Sequence, residues 1–337
     1  MTDGSSEPCP RVVALCGGVG GAKLALGLSK VVGPEDLTII ANTGDDFEHL
    51  GLAISPDLDT VLYTLAGLAN PQQGWGRADE TWSFMESLDT LGGETWFKLG
   101  DKDLALHVER TRRLGRGETL STVTDRLRRN LGVGARLLPM SDQPVRTMVQ
   151  TDRGELAFQN YFVAMACEPV VTGFRFDGIE TASPAPGVLE AINAPGLDAI
   201  IICPSNPFVS VNPMLSLPGF REALAAAKAP IVAVSPIVGG KALKGPAAKM
   251  MAELGQEISP ATVVEAYQDF LDGFVLDQLD RHSTGALPCP VRFSQTVMSS
   301  LDDRMSLARD VLAFAISLKQ DRSPAADPVR KTGTTDV

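Results

Sequence analysis

The chain has 337 residues, of which 44% are hydrophobic and 21% are charged, and its formal net charge at pH 7 is −11. This length and apolar content are sufficient for a large buried core, and we expect a soluble globular protein of one large domain or one and a half. The negative charge argues against a nucleic-acid partner, because binding to a phosphate backbone depends on clustered lysine and arginine.

Nothing in the sequence indicates export or contact with a membrane. The first ten residues, MTDGSSEPCP, lack a basic start and an apolar core, and no later apolar run reaches the length of a membrane span. The cysteines form no CxxC pair, and their odd number suits a reducing compartment. The five are Cys9, Cys16, Cys167, Cys203 and Cys289. We therefore expect a cytoplasmic protein.

Short apolar runs alternate with segments of helical period along much of the chain. The runs typical of buried strands are residues 11–16, 37–41, 199–203 and 231–234. The helical patterns that follow are residues 22–31, 60–68, 220–227 and 246–254. This alternation predicts an α/β fold, with a Rossmann-like and mostly parallel sheet that has helices on both faces. In such sheets the ligand lies beyond the carboxyl ends of the strands.

The first apolar run leads directly into a glycine-rich loop that precedes Lys23. Its glycines are Gly17, Gly18, Gly20 and Gly21. A glycine-rich turn between a strand and a helix brings backbone N–H groups and the positive end of a helix to one point, which suits a phosphate. The alternative, that these glycines only make a tight turn, stays open.

Two well-known phosphate-binding loops do not match this one. A Walker A loop requires a magnesium-binding hydroxyl after the lysine, and Leu24 occupies that position. A dinucleotide fingerprint requires a small residue where Lys23 stands. The loop therefore predicts a phosphorylated ligand, while a nicotinamide or flavin dinucleotide is disfavoured.

Four carboxylates follow the second predicted strand and border the next helix. Asp45 and Asp46 end the sequence NTGDD, and Asp57 and Asp59 lie in SPDLDT. Carboxylates near a phosphate favour Mg²⁺, which takes hard oxygen ligands and screens like charges. The alternative to a metal is a structural role, in which Asp59 or Thr60 caps the helix or an aspartate after glycine shapes a turn. We favour the metal for Asp45 and Asp59, and a structural role for Asp57.

The middle of the chain has a different pattern. Residues 82–129 are mostly helical in period, and residues 147–176 alternate like antiparallel strands. We predict one domain over residues 11–318, in which residues 75–180 form an inserted helical and antiparallel sub-domain that covers the ligand edge. Most of the arginines in two clusters are interpreted as solvated helix faces. The clusters are Arg110, Arg112, Arg113 and Arg116, and then Arg126, Arg128 and Arg129. Residues 1–10 and 320–337 are expected to be flexible tails.

The loop after the third predicted strand carries Ser205 and Asn206 between prolines. Proline fixes the backbone, and the hydroxyl and amide groups can orient a base, a ribose or a phosphate. The loop after the fourth strand adds Lys241 and Lys244 beside glycines. Ordinary surface turns are the alternative interpretation of both loops.

Seven blocks in this order resemble the 2-phospho-L-lactate transferase family of deazaflavin coenzyme F(420) biosynthesis, over residues 11–318. They are CGGVGGAKLALGL, NTGDD, SPDLDTVLYTLAG, KLGDKDLALH, LLPMSD, CPSNPFVSVNPML and SPIVGGKALKGPAAKMM. The resemblance implies a Rossmann-like sheet, Mg²⁺ and a homodimer. It also implies transfer of a phosphorylated three-carbon acid, 2-phospho-L-lactate or phosphoenolpyruvate, from its guanosine diphosphate derivative to the deazaflavin alcohol FO, with release of GMP.

The resemblance also implies a role for each site residue. Asp59 and Lys98 are expected on the FO side, and the loop from Gly17 to Lys23 is expected on the guanosine diphosphate side, together with Ser205 and Asn206. Asp45 and Asp59 are the predicted catalytic and metal-binding residues.

Two other functional classes are weighed against this one. A non-catalytic regulator that binds a nucleotide sugar shares the glycine-rich first loop, but it has no need of the metal aspartate in SPDLDT. A dehydrogenase is opposed by the broken dinucleotide fingerprint.

Overall fold

A computed structural model describes residues 9–242, 246–282 and 285–322 of the chain. Strands in the described residues are β1 (Val12–Cys16), β2 (Leu37–Ala41), β3 (Phe47–His49), β4 (Leu52–Ile54), β5 (Arg136–Pro139), β6 (Arg146–Thr151), β7 (Gly154–Ala157), β8 (Val171–Asp177), β9 (Ala199–Ile202), β10 (Ile231–Val234), β11 (Ile237–Val238), β12 (Lys241–Ala242), β13 (Gly273–Asp277) and β14 (Val291–Ser294).

The helices in the same residues are α1 (Gly18–Val31), α2 (Pro56–Leu65), α3 (Ser83–Thr90), α4 (Asp101–Leu114), α5 (Leu120–Asn130), α6 (Val188–Ile192), α7 (Asn212–Leu215), α8 (Phe220–Ala225), α9 (Ala247–Glu253), α10 (Pro260–Tyr267) and α11 (Leu301–Arg322). Two short π-helices, Asn160–Ala164 and Pro207–Val211, and one 3₁₀ turn, Gln278–Asp280, complete the elements. Of the predicted tails, residues 1–8 and 323–337 lie outside the described ranges, whereas residues 320–322 continue α11.

Seven strands form the central sheet in the order β14-β13-β10-β9-β1-β2-β5, and every neighbouring pair is parallel. The predicted Rossmann-like fold is confirmed, and the four predicted strands form its centre. The chain passes from β1 to β2 on one side and later returns with β9 on the other side. This change of direction beside β1 creates the crevice in which ligands of such sheets bind.

The hydrophobic core has one layer on each face of the sheet, because neighbouring side chains of a strand point to opposite faces. On β1, Val12 and Ala14 belong to a cluster with helices α1, α2 and α11. Val13 and Leu15 belong to a second cluster with α6, α8 and α10. Strands covered on both faces are expected to be apolar throughout, as VVALC is.

The inserted range differs from its predicted boundaries. Helices α3, α4 and α5 follow the helical pattern, and β7-β6-β8 form the antiparallel sheet. Between them, however, β5 pairs with β2 as an edge strand of the central sheet. The predicted insertion at residues 75–180 is therefore divided in two by a strand of the main domain. Within the described ranges, no helix combines the length and apolar character needed to cross a bilayer.

Close packing of α1 against α11 depends on Gly27. A Cβ atom at this position would overlap the backbone carbonyl of Arg304 at the start of α11. We expect Gly27→Ala to lower the free energy of unfolding by about 1–3 kcal/mol, because an extra methyl in a filled contact forces backbone movement. Urea unfolding measures this change. Lys30→Ala, at an exposed position of the same helix, is the control, and an equal effect of the two substitutions would contradict the tight contact.

Candidate functional site

The glycine loop and the loop after β9 are joined at the centre of the crevice. The Gly17 N–H donates to Ser205 Oγ at 3.0 Å, and this hydroxyl donates back to the Gly17 carbonyl at 2.8 Å. A Cβ atom at Gly20 would overlap the carbonyl oxygen of Pro204. Part of the glycine pattern therefore serves the close approach of two loops. Helix α1 begins at Gly18, four residues before the predicted start, so most of the glycine-rich segment forms its first turn.

Asp57 connects the glycine loop to the NTGDD segment. Its Oδ1 accepts the Gly18 N–H at 2.7 Å, and its Oδ2 accepts the Asn42 side-chain amide at 2.9 Å. Gly18 has a φ of +63°, a conformation that glycine adopts without strain. Asp57 thus has a structural role at a helix end, but the helix that it caps is α1 and not its own helix, α2, whose N-cap is Ser55.

Asp57 and Asp59 lie in the first turn of α2, and their side chains serve different sides of the site. Two residues along an α-helix correspond to a rotation of about 200° around its axis, so the two carboxylates diverge. Asp57 contacts the glycine loop. Asp59 faces α4 of the inserted range, where it meets Arg110. The first turn of α2 therefore lies between the donor side and the acceptor side predicted from the sequence.

Asp59 forms a buried two-pronged ion pair with Arg110. Arg110 Nη1 donates to Asp59 Oδ2 at 3.0 Å, and Nη2 donates to Oδ1. Both residues are buried, at 5% and 2% exposure. Burial alone would lower the pKa of Arg110, but the Asp59 carboxylate raises it above its usual value. The guanidinium is therefore a permanent cation whose planar fork fixes the carboxylate in one orientation.

Further polar groups on α4 and α2 extend this ion pair. His107 Nδ1 lies 3.7 Å from Asp59 Oδ2, and His107 Nε2 lies 3.3 Å from Asp103 Oδ1. The Tyr63 hydroxyl donates to the same Asp103 oxygen at 2.6 Å. A connected polar network thus joins the inserted helix to the main domain beside Asp59.

Arg110 is an exception to the prediction that most of these arginines lie on solvated helix faces, because it is buried. Arg112, two residues later, does lie at the surface with Glu109, at 39% side-chain exposure. The spacing of Asp103, His107 and Arg110, at i, i+4 and i+7, places the three on one face of α4. This spacing was the only sequence indication of the buried network, and it resembles that of an ordinary amphipathic helix.

Asp45 and Asp46 are both buried at the carboxyl end of β2. Burial raises the pKa of Asp45 well above its usual range, and the charges of Asp57 and Asp46 raise it further. Burial also raises the pKa of Asp46 to about 7, although Arg146 and the Ser55 hydroxyl act in the opposite direction. Ser55 Oγ donates to Asp46 Oδ2 at 2.8 Å.

Several oxygens of this segment are buried without a hydrogen-bond partner among the described residues. They are Asp45 Oδ1, Asp46 Oδ1 and Thr43 Oγ1. A buried carboxylate oxygen of this kind is costly unless a cation or a donor meets it. Asp45 therefore fits a hard divalent cation. Asp59 can hold such a cation without losing its bonds to Arg110, since each of its oxygens accepts one bond and keeps a second lone pair.

No group of three or more His, Cys, Asp or Glu side chains in the part of the chain described here is arranged to hold a metal alone. Mg²⁺ commonly binds through one or two carboxylates together with substrate phosphates and water. The assignment of Asp45 and Asp59 to the metal stays a prediction.

The remaining predicted residues have varied surroundings. Lys23 Nζ donates to the Met298 carbonyl at 2.8 Å. Asn206 Oδ1 accepts the Phe208 N–H at 3.0 Å and so caps the π-helix Pro207–Val211. Lys98 is exposed just before α4. Their roles toward substrate stay predictions.

Replacement of Arg110 tests the buried ion pair. We expect Arg110→Met to lower the free energy of unfolding by about 3–5 kcal/mol, because it leaves the Asp59 carboxylate buried without its counter-charge. Urea unfolding measures the loss. Arg112→Met on the same helix removes an exposed pair and should cost at most about 1 kcal/mol. Similar losses in the two variants would show that the Asp59–Arg110 pair is not buried in solution.

Comparison with known proteins gives close relatives over nearly the whole chain. The family model described as 2-phospho-L-lactate transferase CofD matches residues 12–288. The phosphoenolpyruvate transferase of Kitasatospora aureofaciens is 44% identical over 315 residues, which cover 90% of this chain and 98% of that protein. The 2-phospho-L-lactate transferase of Methanosarcina mazei is 40% identical over 304 residues, which cover 89% and 99%.

A solved structure with a similar fold belongs to a member of the UPF0052 family from Bacillus halodurans. Its TM-score is 0.60 at 16% identity, and the alignment covers 91% of this chain and 100% of that chain. This likeness concerns the fold alone. The family model and the sequence relatives match most of the chain, and they show that it belongs to the 2-phospho-L-lactate transferase family of coenzyme F(420) biosynthesis.

Proposed function

We propose that the chain transfers a phosphorylated three-carbon acid from its guanosine diphosphate derivative to the terminal ribityl hydroxyl of FO. The hydroxyl oxygen forms a bond to the phosphorus that carries the acid, the bond from that phosphorus to the GMP oxygen breaks, and the hydroxyl proton is released. The main support is the meeting of the glycine loop, the NTGDD segment and the first turn of α2 at one sheet edge, in a member of this family.

Catalysis of this reaction depends on charge neutralisation and alignment. A neutral alcohol must approach a negatively charged diphosphate in line with the leaving group, so positioning supplies most of the rate enhancement. The N-terminus of α1 can bind the diphosphate through its backbone N–H groups and through the positive end of the helix dipole. The bonds between Gly17 and Ser205 keep this end of the helix beside the loop after β9.

Asp45 and Asp59 would hold Mg²⁺, which supplies screening of the diphosphate charge when it is bound. Asp59 has a second role, because its carboxylate can accept a hydrogen bond from the FO hydroxyl and orient the attacking oxygen. Arg110 fixes the orientation of this carboxylate by donating to both of its oxygens. Lys98, exposed just before α4, is the cation that we propose on the FO side.

The relatives favour phosphoenolpyruvate over 2-phospho-L-lactate as the transferred acid. The relatives from Kitasatospora aureofaciens and Streptomyces griseus, at 44% and 43% identity, are both named phosphoenolpyruvate transferases. Those from Methanosarcina mazei and Methanocaldococcus jannaschii, at 40% and 39%, are named 2-phospho-L-lactate transferases. We extend the first name to this chain as part of the proposal, together with a cytoplasmic location and a homodimer.

Release of GMP tests the proposed reaction. We expect GMP and the phosphorylated deazaflavin only when FO, the guanosine diphosphate donor and Mg²⁺ are all present, because the leaving nucleotide is displaced by FO itself. Chromatography with mass detection measures both products. A non-catalytic nucleotide-binding regulator would bind the donor and release no GMP, and that result would end the transferase proposal.

Asp59→Asn tests the residue placed between donor and acceptor. We expect turnover to fall at least about 100-fold, because the amide is a poor metal ligand and a weaker acceptor for the hydroxyl. Asp269→Asn, in a surface ion pair with Arg221, is the control and should keep its turnover within about twofold. Retained turnover of Asp59→Asn at saturating Mg²⁺ would remove Asp59 from the mechanism.

Competition between donors identifies the acid. We expect equal concentrations of the phosphoenolpyruvate and phospholactate donors to give mainly the phosphoenolpyruvate product, which mass spectrometry distinguishes by two hydrogen atoms. One or two side chains can decide between acids that differ so little. A predominant phospholactate product would show that the names of the bacterial relatives do not transfer to this chain.

A further inference from the structure

The carboxylate of Asp57 lies where the proposed function places the donor's phosphates. Asp57 is 6% exposed, and its Oδ1 accepts the N–H of Gly18, the first residue of the 14-residue helix α1, at 2.7 Å. The end of a helix stabilises an anion through its N–H groups and its dipole. In this structure that anion is a side chain of the protein itself.

A diphosphate and the Asp57 carboxylate compete for this position. One backbone N–H makes a good hydrogen bond with one acceptor at a time, and the neighbouring N–H of Gly17 donates to Ser205. Two anions in contact also repel each other strongly away from bulk water. A phosphate can therefore reach the Gly18 N–H only if Asp57 gives up this bond.

Asp57 has a second partner to which it can remain attached. Its Oδ2 accepts the amide of Asn42 at 2.9 Å, and Asn42 also donates to the Val209 carbonyl at 3.2 Å. Loss of the bond to Gly18 thus leaves the carboxylate with one charge-assisted hydrogen bond.

We propose that Asp57 is an internal anion that occupies the phosphate-binding end of the glycine loop until the donor's diphosphate displaces it. This inference rests on the proposed function, which supplies the diphosphate. It makes Asp57 a specificity-determining residue. A diphosphate anchored through its nucleoside displaces the carboxylate, whereas free inorganic phosphate, which has no such anchor, does not.

Asp57→Asn is the sharpest test, because the amide keeps an oxygen for the Gly18 N–H, while it removes the charge and the oxygen that accepts from Asn42. Isothermal titration calorimetry at pH 8 measures the Kd of GDP and of inorganic phosphate. We expect the variant to bind GDP about tenfold more tightly than the unchanged protein and to bind inorganic phosphate measurably. A folded variant that binds GDP equally or more weakly would falsify the proposal, since a purely structural role predicts weaker binding.

Asp198→Asn is the matched control. The Asp198 carboxylate accepts the Arg11 N–H at 2.8 Å. Arg11 directly precedes β1, at the end of the strand that lies away from the glycine loop. The substitution therefore removes a carboxylate that holds the same strand but lies away from the site. Its Kd for GDP should change less than twofold. A tightening as large as that of Asp57→Asn would assign the effect to net charge and overturn the local displacement.

A crystal structure of the unchanged protein with GDP tests the displacement without any variant. We expect a phosphate oxygen on the Gly18 N–H and Asp57 Oδ1 beyond hydrogen-bond distance from it. A GDP complex in which Asp57 keeps its bond to Gly18 would overturn the inference and leave the proposed function intact. Failure of the unchanged protein to bind GDP at all would instead remove the proposed function, and the displacing group with it.

Discussion

Burial of carboxylates at one sheet edge is the constraint on which the rest of the site depends. A carboxylate away from water needs a cation, a hydrogen-bond donor or a proton. Asp57 meets this need with Gly18 and Asn42, and Asp59 meets it with Arg110. Each solution joins two segments that are distant along the chain. The bonds that satisfy these buried carboxylates thus hold the glycine loop, α2 and the inserted helix α4 in fixed positions relative to one another.

The central strands were predictable because each is covered on both faces and is therefore a continuous apolar run, as in VVALC and AIII. Two of the missed strands lack this property, although β13 (GFVLD), which was also missed, is buried along its whole length. β5 and β14 lie at the sheet edges, and their sequences, RLLP and VRFS, contain polar residues or proline. Such short segments acquire strand structure only from the neighbour that they pair with, which local sequence cannot specify.

The candidate site was predictable to the extent that its groups are neighbours in sequence. The glycine loop, NTGDD and SPDLDT indicate glycines and carboxylates near strand ends, and the structure brings these segments together. Their partners were not predictable, because Arg110 is 51 residues away from Asp59 and lies in a charged helix. Two aspartates of one motif therefore have different partners, since α2 directs them to opposite sides.

The bond between Gly17 and Ser205 also bears on how the molecule is made. It joins residues 188 positions apart, so this hydrogen bond of the glycine loop can form only after more than half of the chain has been synthesised. Contacts of such long range form late, because loop closure must first be paid for in entropy. A nascent chain carries the glycine-rich sequence from the beginning, yet the crevice beside β1 forms only when β9 has paired with this strand. Ribosome-bound chains that end before residue 205 therefore contain the loop without the site.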